Sequence, residues 1–284
     1  MRGWGITLVN EQASKAQLFR DLHYLSKPLV LPNAWDAITA RIFEGVGFPA
    51  IGTTSAGMAM ALGYPDGGYL PFEMLVTALE SIVKSVQLPV SADIESGYGV
   101  TPEETADYVN RLLDTGIVGI NIEDSVGKGD HGLFPEEFQV QRLAAIREIC
   151  ETRNIPLFIN ARIDTFKYGR KAINELLEDT LRRATLYRQS GADCIFVFGV
   201  KDRGIMQKLV RGIHGPVNFM AGSGMPSVDE LEAIGVSRIS IGPAALKVAM
   251  GAVKQVATEL FITGTYDSFS QSEMSYQELN GYFL

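Results

Sequence analysis

Eight short apolar runs divide the chain, and they end in glycine or in polar residues. Within each run, β-branched and other apolar side chains follow one another without strict polar alternation, as in strands that are covered on both faces. The runs span residues 28–32, 50–54, 89–95, 118–124, 156–162, 194–199, 216–222 and 238–242. They predict eight buried β-strands.

Amphipathic stretches that are typical of helices separate these runs. They span residues 36–46, 71–86, 101–115, 135–153, 171–190, 202–212, 227–234 and 243–260, and residues 11–26 predict a further helix before the first strand. Thr101 and Pro102 are typical of a helix start, and Gly116 of a helix end. The strict alternation favours a single (β/α)8 TIM barrel of the α/β class. A doubly wound open sheet is the alternative, but its G-x-G-x-x-G fingerprint is absent after the first strand.

The length of 284 residues suits one barrel domain over residues 1–284. Residues 1–27 are expected to form an N-terminal helix, and residues from about 245 to 284 a C-terminal helical extension. The polar tail after residue 264 carries five aromatic side chains: Tyr266, Phe269, Tyr276, Tyr282 and Phe283. So many aromatics in a solvated tail suggest docking, either onto a neighbouring subunit or back onto the chain's own barrel.

Composition excludes several classes of partner. The net charge of −8 and a pI near 5.0 argue against nucleic acid and against an anionic membrane surface. The two cysteines, Cys150 and Cys194, belong to no metal-type cluster and are expected to be buried thiols. No apolar run approaches 18 residues, and residues 1–15 lack a signal-peptide core, so we expect a cytoplasmic protein.

Acidic residues follow three of the predicted strands, at the end where barrel enzymes carry their active sites. Asp93 and Glu95 alternate in the third run, Glu123 is the second-last residue of the fourth, and Asp66 lies in the loop after the second. Strand periodicity predicts that Asp93 and Glu95 point to the same face. Such carboxylates repel each other unless a cation lies between them, and hard oxygen ligands favour Mg²⁺ or Mn²⁺ over zinc. A solvated strand end is the alternative for an isolated D-x-E pair.

Residues suited to binding a small anion follow other strands. The planar guanidinium of Arg162 fits a carboxylate, although a salt bridge that neutralises the acids is an alternative role. The candidates for the remainder of the anion site are Trp35, Thr54, Ser55, Ala56, Gly57 and Asn218.

Six motifs in a fixed order resemble those of the isocitrate lyase/phosphoenolpyruvate mutase superfamily. They are Pro32-Asn33-Ala34-Trp35-Asp36-Ala37, Gly47-Phe48-Pro49-Ala50-Ile51, Leu62-Gly63-Tyr64-Pro65-Asp66, Ala92-Asp93-Ile94-Glu95, Asn121-Ile122-Glu123-Asp124 and Asn160-Ala161-Arg162. The resemblance implies a barrel in a homodimer or homotetramer, often with a C-terminal helix exchanged between subunits. It also implies Mg²⁺ and the cleavage or formation of a C–C or P–C bond next to a 2-oxo acid. The matching metal shell is Asp66, Asp93, Glu95 and Glu123, and Arg162 with the loop 54–57 matches the substrate carboxylate site.

The loop after Glu123 departs from the family pattern. Lyases of the family carry a K-[KR]-C-G-H sequence there, with an acid–base cysteine, and the mutases carry E-D-K followed by N-S. Here Ser125 stands at the lysine position, no cysteine occurs, and His131 stands where the lyase cysteine would be. Histidine titrates in the range needed to exchange a proton with an enolate, although an exposed loop histidine is an equal alternative.

These departures narrow the expected reaction. Phe198-Gly199 stands where lyases end the sixth strand in glutamate, which points to a smaller substrate than a tricarboxylate. We therefore expect a Mg²⁺-dependent lyase, similar to an oxaloacetate decarboxylase or a methylisocitrate lyase, that cleaves a C–C bond next to a small anionic 2-oxo or 2-hydroxy diacid through an enolate. His131, Arg162 and Glu123 are the expected catalytic residues. A P–C bond enzyme of the phosphonomutase type and a non-catalytic 2-oxo acid or metal-binding relative are the alternatives.

Overall fold

A computed structural model describes residues 2–127, 129–271 and 274–284, with the backbone alone for residues 2–10, 130 and 131. Each of the eight apolar runs contains a strand. The strands are β1 (Leu29–Leu31), β2 (Asn33–Ala34), β3 (Ile51–Thr53), β4 (Val90–Asp93), β5 (Gly119–Glu123), β6 (Ser125–Gly127), β7 (Asp130–Leu133), β8 (Phe158–Ile163), β9 (Cys194–Val197), β10 (Val217–Met220) and β11 (Arg238–Ser240).

Nine of these strands form one parallel sheet that closes into a barrel. Neighbouring strands follow the order β1-β11-β10-β9-β8-β5-β4-β3-β2. β1 pairs with β11 and β2 pairs with β3, while Pro32 alone separates β1 from β2. Proline has no amide N–H to donate, so it interrupts the first strand, but its carbonyl still accepts a hydrogen bond from Gly52. The broken first strand thus pairs on both sides, and the predicted eight-unit barrel is confirmed.

Helices follow the barrel strands and cover the sheet. They are α1 (Arg2–Leu22), α2 (Ala37–Val46), α3 (Ser55–Ala61), α4 (Phe72–Ser85), α5 (Pro102–Leu113), α6 (Glu136–Thr152), α7 (Thr165–Tyr168), α8 (Ile173–Gln189), α9 (Arg203–Gly212), α10 (Val228–Ala233), α11 (Ala244–Ile262), a 3₁₀ helix (Asp267–Gln271) and α12 (Tyr276–Gly281). The N-terminal helix begins at residue 2, which lies within the predicted N-terminal helical segment 1–27 but before the start of the amphipathic stretch at 11. The prediction missed α3, α7 and the β6–β7 hairpin, because each is too short to show a period.

Capping residues set several of these boundaries, and the start predicted at Thr101 and Pro102 is confirmed. Thr101 accepts a hydrogen bond from the amide of Glu104 at 3.2 Å, and Pro102 occupies the first helical position of α5. Asp36 forms a capping box with Thr39 at the start of α2. Gly47 ends α2 with φ +101°, a left-handed conformation that glycine adopts without steric cost.

The helix α1 closes the N-terminal end of the barrel. Phe19 on α1 is fully buried and meets Phe158, the first residue of β8, edge to face with ring centroids 5.3 Å apart. His23 stacks on the same Phe158 ring at 4.0 Å. Because this end is filled with side chains, the opposite end of the barrel is the one left for a site.

Cys150 and Cys194 are buried free thiols, as predicted.

The C-terminal extension is helical and largely exposed. Leu246 is the buried residue of α11, whereas Val248 and Phe261 are 75% and 91% exposed. At the far end of the chain, Tyr282 reaches back to α2, where a Cβ on Gly45 would lie 2.8 Å from its ring. Exchange of this segment between subunits stays a prediction. Among the described residues, no helix combines the length and the apolar character needed to cross a membrane.

Candidate active site

A cavity of about 250 Å³ opens where the barrel strands end. Asp93, Glu123 and Ser240 are the last residues of β4, β5 and β11, and all three line it. The predicted site residues that line it are Thr54, Ser55, Ala56, Asp66, Asp93, Glu95, Glu123 and Arg162. Parallel strands bring their C-terminal ends to one rim, so residues far apart in the chain meet here.

Asp93 is held in place by residues at the end of β3. Its carboxylate Oδ2 accepts a hydrogen bond from the Ser55 hydroxyl at 2.8 Å and from the Ser55 amide at 3.3 Å. Its own amide donates to the hydroxyl of Thr53 at 2.9 Å. Ser55 therefore holds the carboxylate through Oδ2, Thr53 holds the backbone beneath it, and the other oxygen, Oδ1, faces the amide of Glu95 at 3.4 Å.

Glu95 reaches the cavity by a different route from the one predicted. The strand β4 ends at Asp93, so the alternation that was expected to align Asp93 with Glu95 does not extend to Glu95. Glu95 instead has φ +51°, in the left-handed region that non-glycine residues rarely adopt. Its carbonyl accepts a hydrogen bond from the amide of Glu123 at 2.8 Å, which ties the turn to β5.

Two carboxyl groups in this cavity, those of Glu95 and Asp66, have raised pKa values. Burial and the neighbouring charges of Asp93, Asp66 and Glu123 raise the pKa of Glu95 to about 8. Burial and the charge of Asp93 likewise raise the pKa of Asp66. Such a group of acids carries more negative charge than the described side chains neutralise, and a bound cation would relieve it.

The chemistry of these acids fits a hydrated magnesium ion. Carboxylate oxygens are the hard ligands that Mg²⁺ prefers, and Mg²⁺ keeps several waters while binding one or two carboxylates. Within the described part of the chain, no three His, Cys, Asp or Glu side chains converge closely enough to hold a metal between them. The cavity thus suits an ion that is bound through one or two of the acids, with water completing its shell.

Arg162 is clamped between two carboxylates. Its Nε and Nη2 donate to Asp164 at 2.6 and 2.8 Å, and its Nη1 lies 2.8 Å from Oε2 of Glu123. The guanidinium carbon lies 4.0 Å from the centre of the Phe198 ring, a cation–π contact. Burial lowers the pKa of Arg162, but Glu123 and Asp164 raise it by more, so the side chain is charged. Arg162 therefore forms the salt bridges that were predicted as its alternative role, and it also lines the cavity.

Glu123 and Asp124 are adjacent in sequence but point into different environments. Glu123 lines the cavity, and its Oε1 accepts a hydrogen bond from Ser125 at 2.6 Å. Burial raises the pKa of Glu123, and Arg162 offsets this only in part. Asp124 is fully buried and accepts hydrogen bonds from the Asp164 amide at 2.9 Å and the Tyr187 hydroxyl at 2.9 Å. Asp124 therefore positions Asp164, which in turn holds Arg162.

Three predicted anion-binding residues lie elsewhere. Trp35 lines a separate groove with Leu62 and Met74, and Asn218 is fully buried, where it donates to the hydroxyl of Ser240 at 3.3 Å. Gly57 lies in α3, and its amide donates to the hydroxyl of Thr54 at 3.3 Å. None of the three belongs to the described lining of the cavity.

The predicted gate loop is the β6–β7 hairpin. It is anchored at its base, where the amide of Phe134 donates to the carbonyl of Asp124 at 2.8 Å and Arg183 donates to the carbonyl of Phe134 at 3.2 Å. His131 belongs to β7 by its backbone, and its side chain lies outside the described residues. Its acid–base role stays a prediction.

Several lining residues were missed by the sequence reasoning: Asn33, Asn121, Lys167, Phe196 and Ser240. Asn33, Asn121 and Ser240 occur within or at the end of predicted strands, and their positions were a usable signal. Lys167 had no such signal, because it lies in the unpredicted one-turn helix α7.

Comparisons with known proteins identify the family. The family model for phosphoenolpyruvate phosphomutase matches residues 19–261. A protein of Mycobacterium tuberculosis is 38% identical over 224 residues, which cover 79% of this chain and 81% of that protein. The 2,3-dimethylmalate lyase of Eubacterium barkeri is 30% identical over 274 residues, which cover 93% and 92%. A crystal structure from Burkholderia cenocepacia, described as a lyase/mutase, superposes with a TM-score of 0.89 at 35% identity, covering 96% of this chain and 97% of that one. The resemblance seen in the motifs is confirmed, and this chain belongs to the phosphoenolpyruvate mutase family within the isocitrate lyase/phosphoenolpyruvate mutase superfamily.

Proposed function

We propose that this protein is a magnesium-dependent lyase that cleaves a carbon–carbon bond next to a small 2-oxo or 2-hydroxy diacid and passes through an enolate. The observation that carries the proposal is that one cavity combines four carboxylates with two cations, Arg162 and Lys167, at the C-terminal ends of the strands. The similarity to 2,3-dimethylmalate lyase over nearly the whole chain supports a C–C rather than a P–C bond.

Breaking a bond beside a carbonyl leaves negative charge on the carbonyl oxygen. When bound, Mg²⁺ would supply the positive charge that stabilises this developing enolate. Asp93, Glu95 and Asp66 are the residues that would hold the ion, through one or two direct ligands and water. Ser55 contributes by fixing the Asp93 carboxylate, so little reorientation is needed when the ion binds.

Arg162 binds and orients the substrate carboxylate. A guanidinium has five N–H donors, and three of its nitrogens already contact Asp164 and Glu123 with one hydrogen each. The second hydrogens on Nη1 and Nη2 remain to donate to a substrate oxygen. Because the Arg162 side chain is 13% exposed, it acts in a partly desolvated setting where its charge is screened less than in water.

His131 exchanges a proton with the enolate carbon when the β6–β7 hairpin covers the site. In this hairpin Gly127 and Gly129 have φ of +76° and +81°, a left-handed conformation that glycine adopts without steric cost. An imidazole in general can both donate and accept a proton near neutral pH, which is the chemistry that protonation of an enolate carbon needs. Replacing His131, H131Q, should lower turnover much more than Mg²⁺ affinity.

Two measurements test the proposal in sequence. Mg²⁺ with oxalate, a mimic of enolpyruvate, should raise the melting temperature by several degrees, because a ligand that binds only the folded state stabilises it. Release of pyruvate or another 2-oxo acid is then followed over a panel of 2-oxo and 2-hydroxy diacids that includes oxaloacetate, dimethylmalate and phosphonopyruvate. R162Q should abolish the oxalate shift, whereas R111Q should retain it, since Arg111 forms a solvent-exposed pair with Glu73.

Each outcome has a defined meaning. Product release from a diacid supports the lyase, and turnover of phosphonopyruvate alone would instead identify a P–C bond enzyme. A melting shift with no turnover over the whole panel would identify a non-catalytic binder. No shift with Mg²⁺ and oxalate would refute the assignment of the cavity as a 2-oxo acid site.

A further inference from the structure

Lys167 is a second cation in the cavity, and it comes from a position that the motifs do not include. It lies on α7, directly after β8, and its side chain is 34% exposed. Its Nζ is 3.4 Å from Oδ2 of Asp164 and 4.6 Å from the centre of the Tyr168 ring. The backbone of Gly199 approaches closely from the neighbouring loop, so that a Cβ there would lie 3.3 Å from the amide nitrogen of Lys167.

The two cations are neutralised to different degrees. Arg162 makes contacts of 2.6–2.8 Å with two carboxylates and is 13% exposed. Lys167 reaches a single carboxylate oxygen at 3.4 Å, and that oxygen also accepts from Arg162 at 2.8 Å. Charge-assisted hydrogen bonds are usually about 2.7–2.9 Å long, so the contact of Lys167 is weak. Of the two, Lys167 therefore has more positive charge available for a ligand.

An aromatic ring lies beside both cations. The Phe198 ring centre is 4.0 Å from the Arg162 guanidinium carbon and 5.6 Å from Nζ of Lys167. A carboxylate at this position would compete for the two cations, whereas a phenyl ring contacts them without neutralising them. Burial lowers the pKa of Lys167, but its hydrogen bond with Tyr168 and the charge of Asp164 raise it by more, so the ammonium stays protonated.

We propose that Lys167 binds a second anionic group of the substrate, so that the site selects dianionic acids over monoanionic ones. This inference rests on the proposed function, because it concerns the same cavity and assumes that Arg162 holds the first carboxylate. The distal group is an oxyanion, a carboxylate or a phosphonate, since either would accept hydrogen bonds from a lysine ammonium. Lys167 thereby determines specificity, and the metal-binding acids do not.

The test compares ligands that differ in the distal group alone. Binding of lactate, malate and 3-phosphonolactate to the full chain is measured by calorimetry in the presence of Mg²⁺, for the unaltered protein and for K167Q, K167R and K171Q. Lys171 is the matched control, because it lies four residues further on, is 56% exposed and pairs with Asp179 outside the described cavity lining. Melting temperatures are recorded for every variant.

The expected result is a selective loss. K167Q should lower the affinity for malate or 3-phosphonolactate about ten- to hundredfold, which is the range for a lost hydrogen bond to a charged group. The affinity for lactate should change less than about twofold. K167R should keep part of the affinity, and K171Q all of it. The anion with the larger loss identifies the distal group as carboxylate or phosphonate.

Two results would overturn the inference, and they can be told apart. If K167Q weakens lactate and malate equally, or weakens neither, Lys167 does not recognise the distal group, although the proposed function stands. If the unaltered protein binds none of the three acids with Mg²⁺, the proposed function itself fails, and this inference fails with it.

Discussion

The substitution D164N isolates what burial adds to an ion pair. Asp164 is fully buried and accepts two hydrogen bonds from Arg162, at 2.6 and 2.8 Å. Asparagine has the same shape but one acceptor oxygen, so its NH₂ group would face a guanidinium that can only donate. Arg162 would then depend on Glu123 alone for neutralisation.

The magnitude follows from the two contacts. A hydrogen bond between charged groups contributes about 1.5–3 kcal/mol, and removing one partner of a buried ion pair costs about 3–5 kcal/mol because a charge is left uncompensated. We expect D164N to lower the free energy of unfolding by an amount between these limits, about 1.5–5 kcal/mol. It should also reduce the affinity for oxalate, since the fork of Arg162 would no longer be held in one orientation.

The matched control is D114N. Asp114 contacts Arg153 at 2.6 Å, the same distance as the shorter Asp164 contact, but the Asp114 side chain is 66% exposed. Exposed ion pairs contribute about 0–1 kcal/mol, so D114N should change stability by less than that. Urea unfolding followed by circular dichroism, with linear extrapolation, gives both values. Equal costs for D164N and D114N would refute the argument that burial makes the difference.

Two further predictions concern stability. Burial, with the charge of Arg238, lowers the pKa of His23 from 6.5 to about 3, so the folded state binds fewer protons than the unfolded state between these pH values. The contribution of His23 to stability should therefore be complete above pH 6.5 and fall by about 1.4 kcal/mol per pH unit below it, measured as the difference between the unaltered protein and H23F in urea unfolding from pH 5 to 7. H23F should lose this slope and H214Q should keep it, and an unchanged slope in H23F would exclude His23 as the cause. Gly97 and Gly63 have similar φ values of +88° and +84°, but their surroundings differ. A Cβ added to Gly97 would lie 2.8 Å from the guanidinium of Arg142, whereas a Cβ added to Gly63 would have no atom within 4 Å. G63A should lower the free energy of unfolding by about 1–2 kcal/mol because of backbone strain alone, and G97A by about 1–3 kcal/mol more because of overpacking. Similar melting temperatures for the two variants would show that the side chains around Gly97 move aside at little energetic cost.

The candidate site could be predicted in outline because strand ends are visible in the sequence. Asp93, Glu123 and Arg162 occur at or near the ends of apolar runs, and parallel strands in a barrel bring such ends together. The prediction failed where a backbone turn replaced the strand. Glu95 was expected to share a face with Asp93 by alternation, but the chain turns at φ +51°, and the carboxylate reaches the cavity through that turn.

Two adjacent residues show most clearly what the sequence pattern does not predict. Glu123 and Asp124 have the same charge and neighbouring positions, but one lines the cavity and the other is fully buried against Tyr187. Periodicity indicates that successive strand residues point to opposite faces, but it does not indicate which face the cavity occupies at that level. The side chains that pair with Asp124, Arg183 and Tyr187, lie on α8, about sixty residues further along the chain.

The local pattern of this sequence determined the order of the eight strand–helix units of the barrel, because these depend on hydrophobic period, caps and turn residues within a few positions. The tertiary structure decided how Pro32 divides the first strand while the barrel still closes, which acids meet in one cavity, and why Lys167 and Phe198 lie beside Arg162. Those contacts join residues from different strand–helix units. They arise only when the sheet closes, and no short-range pattern records them.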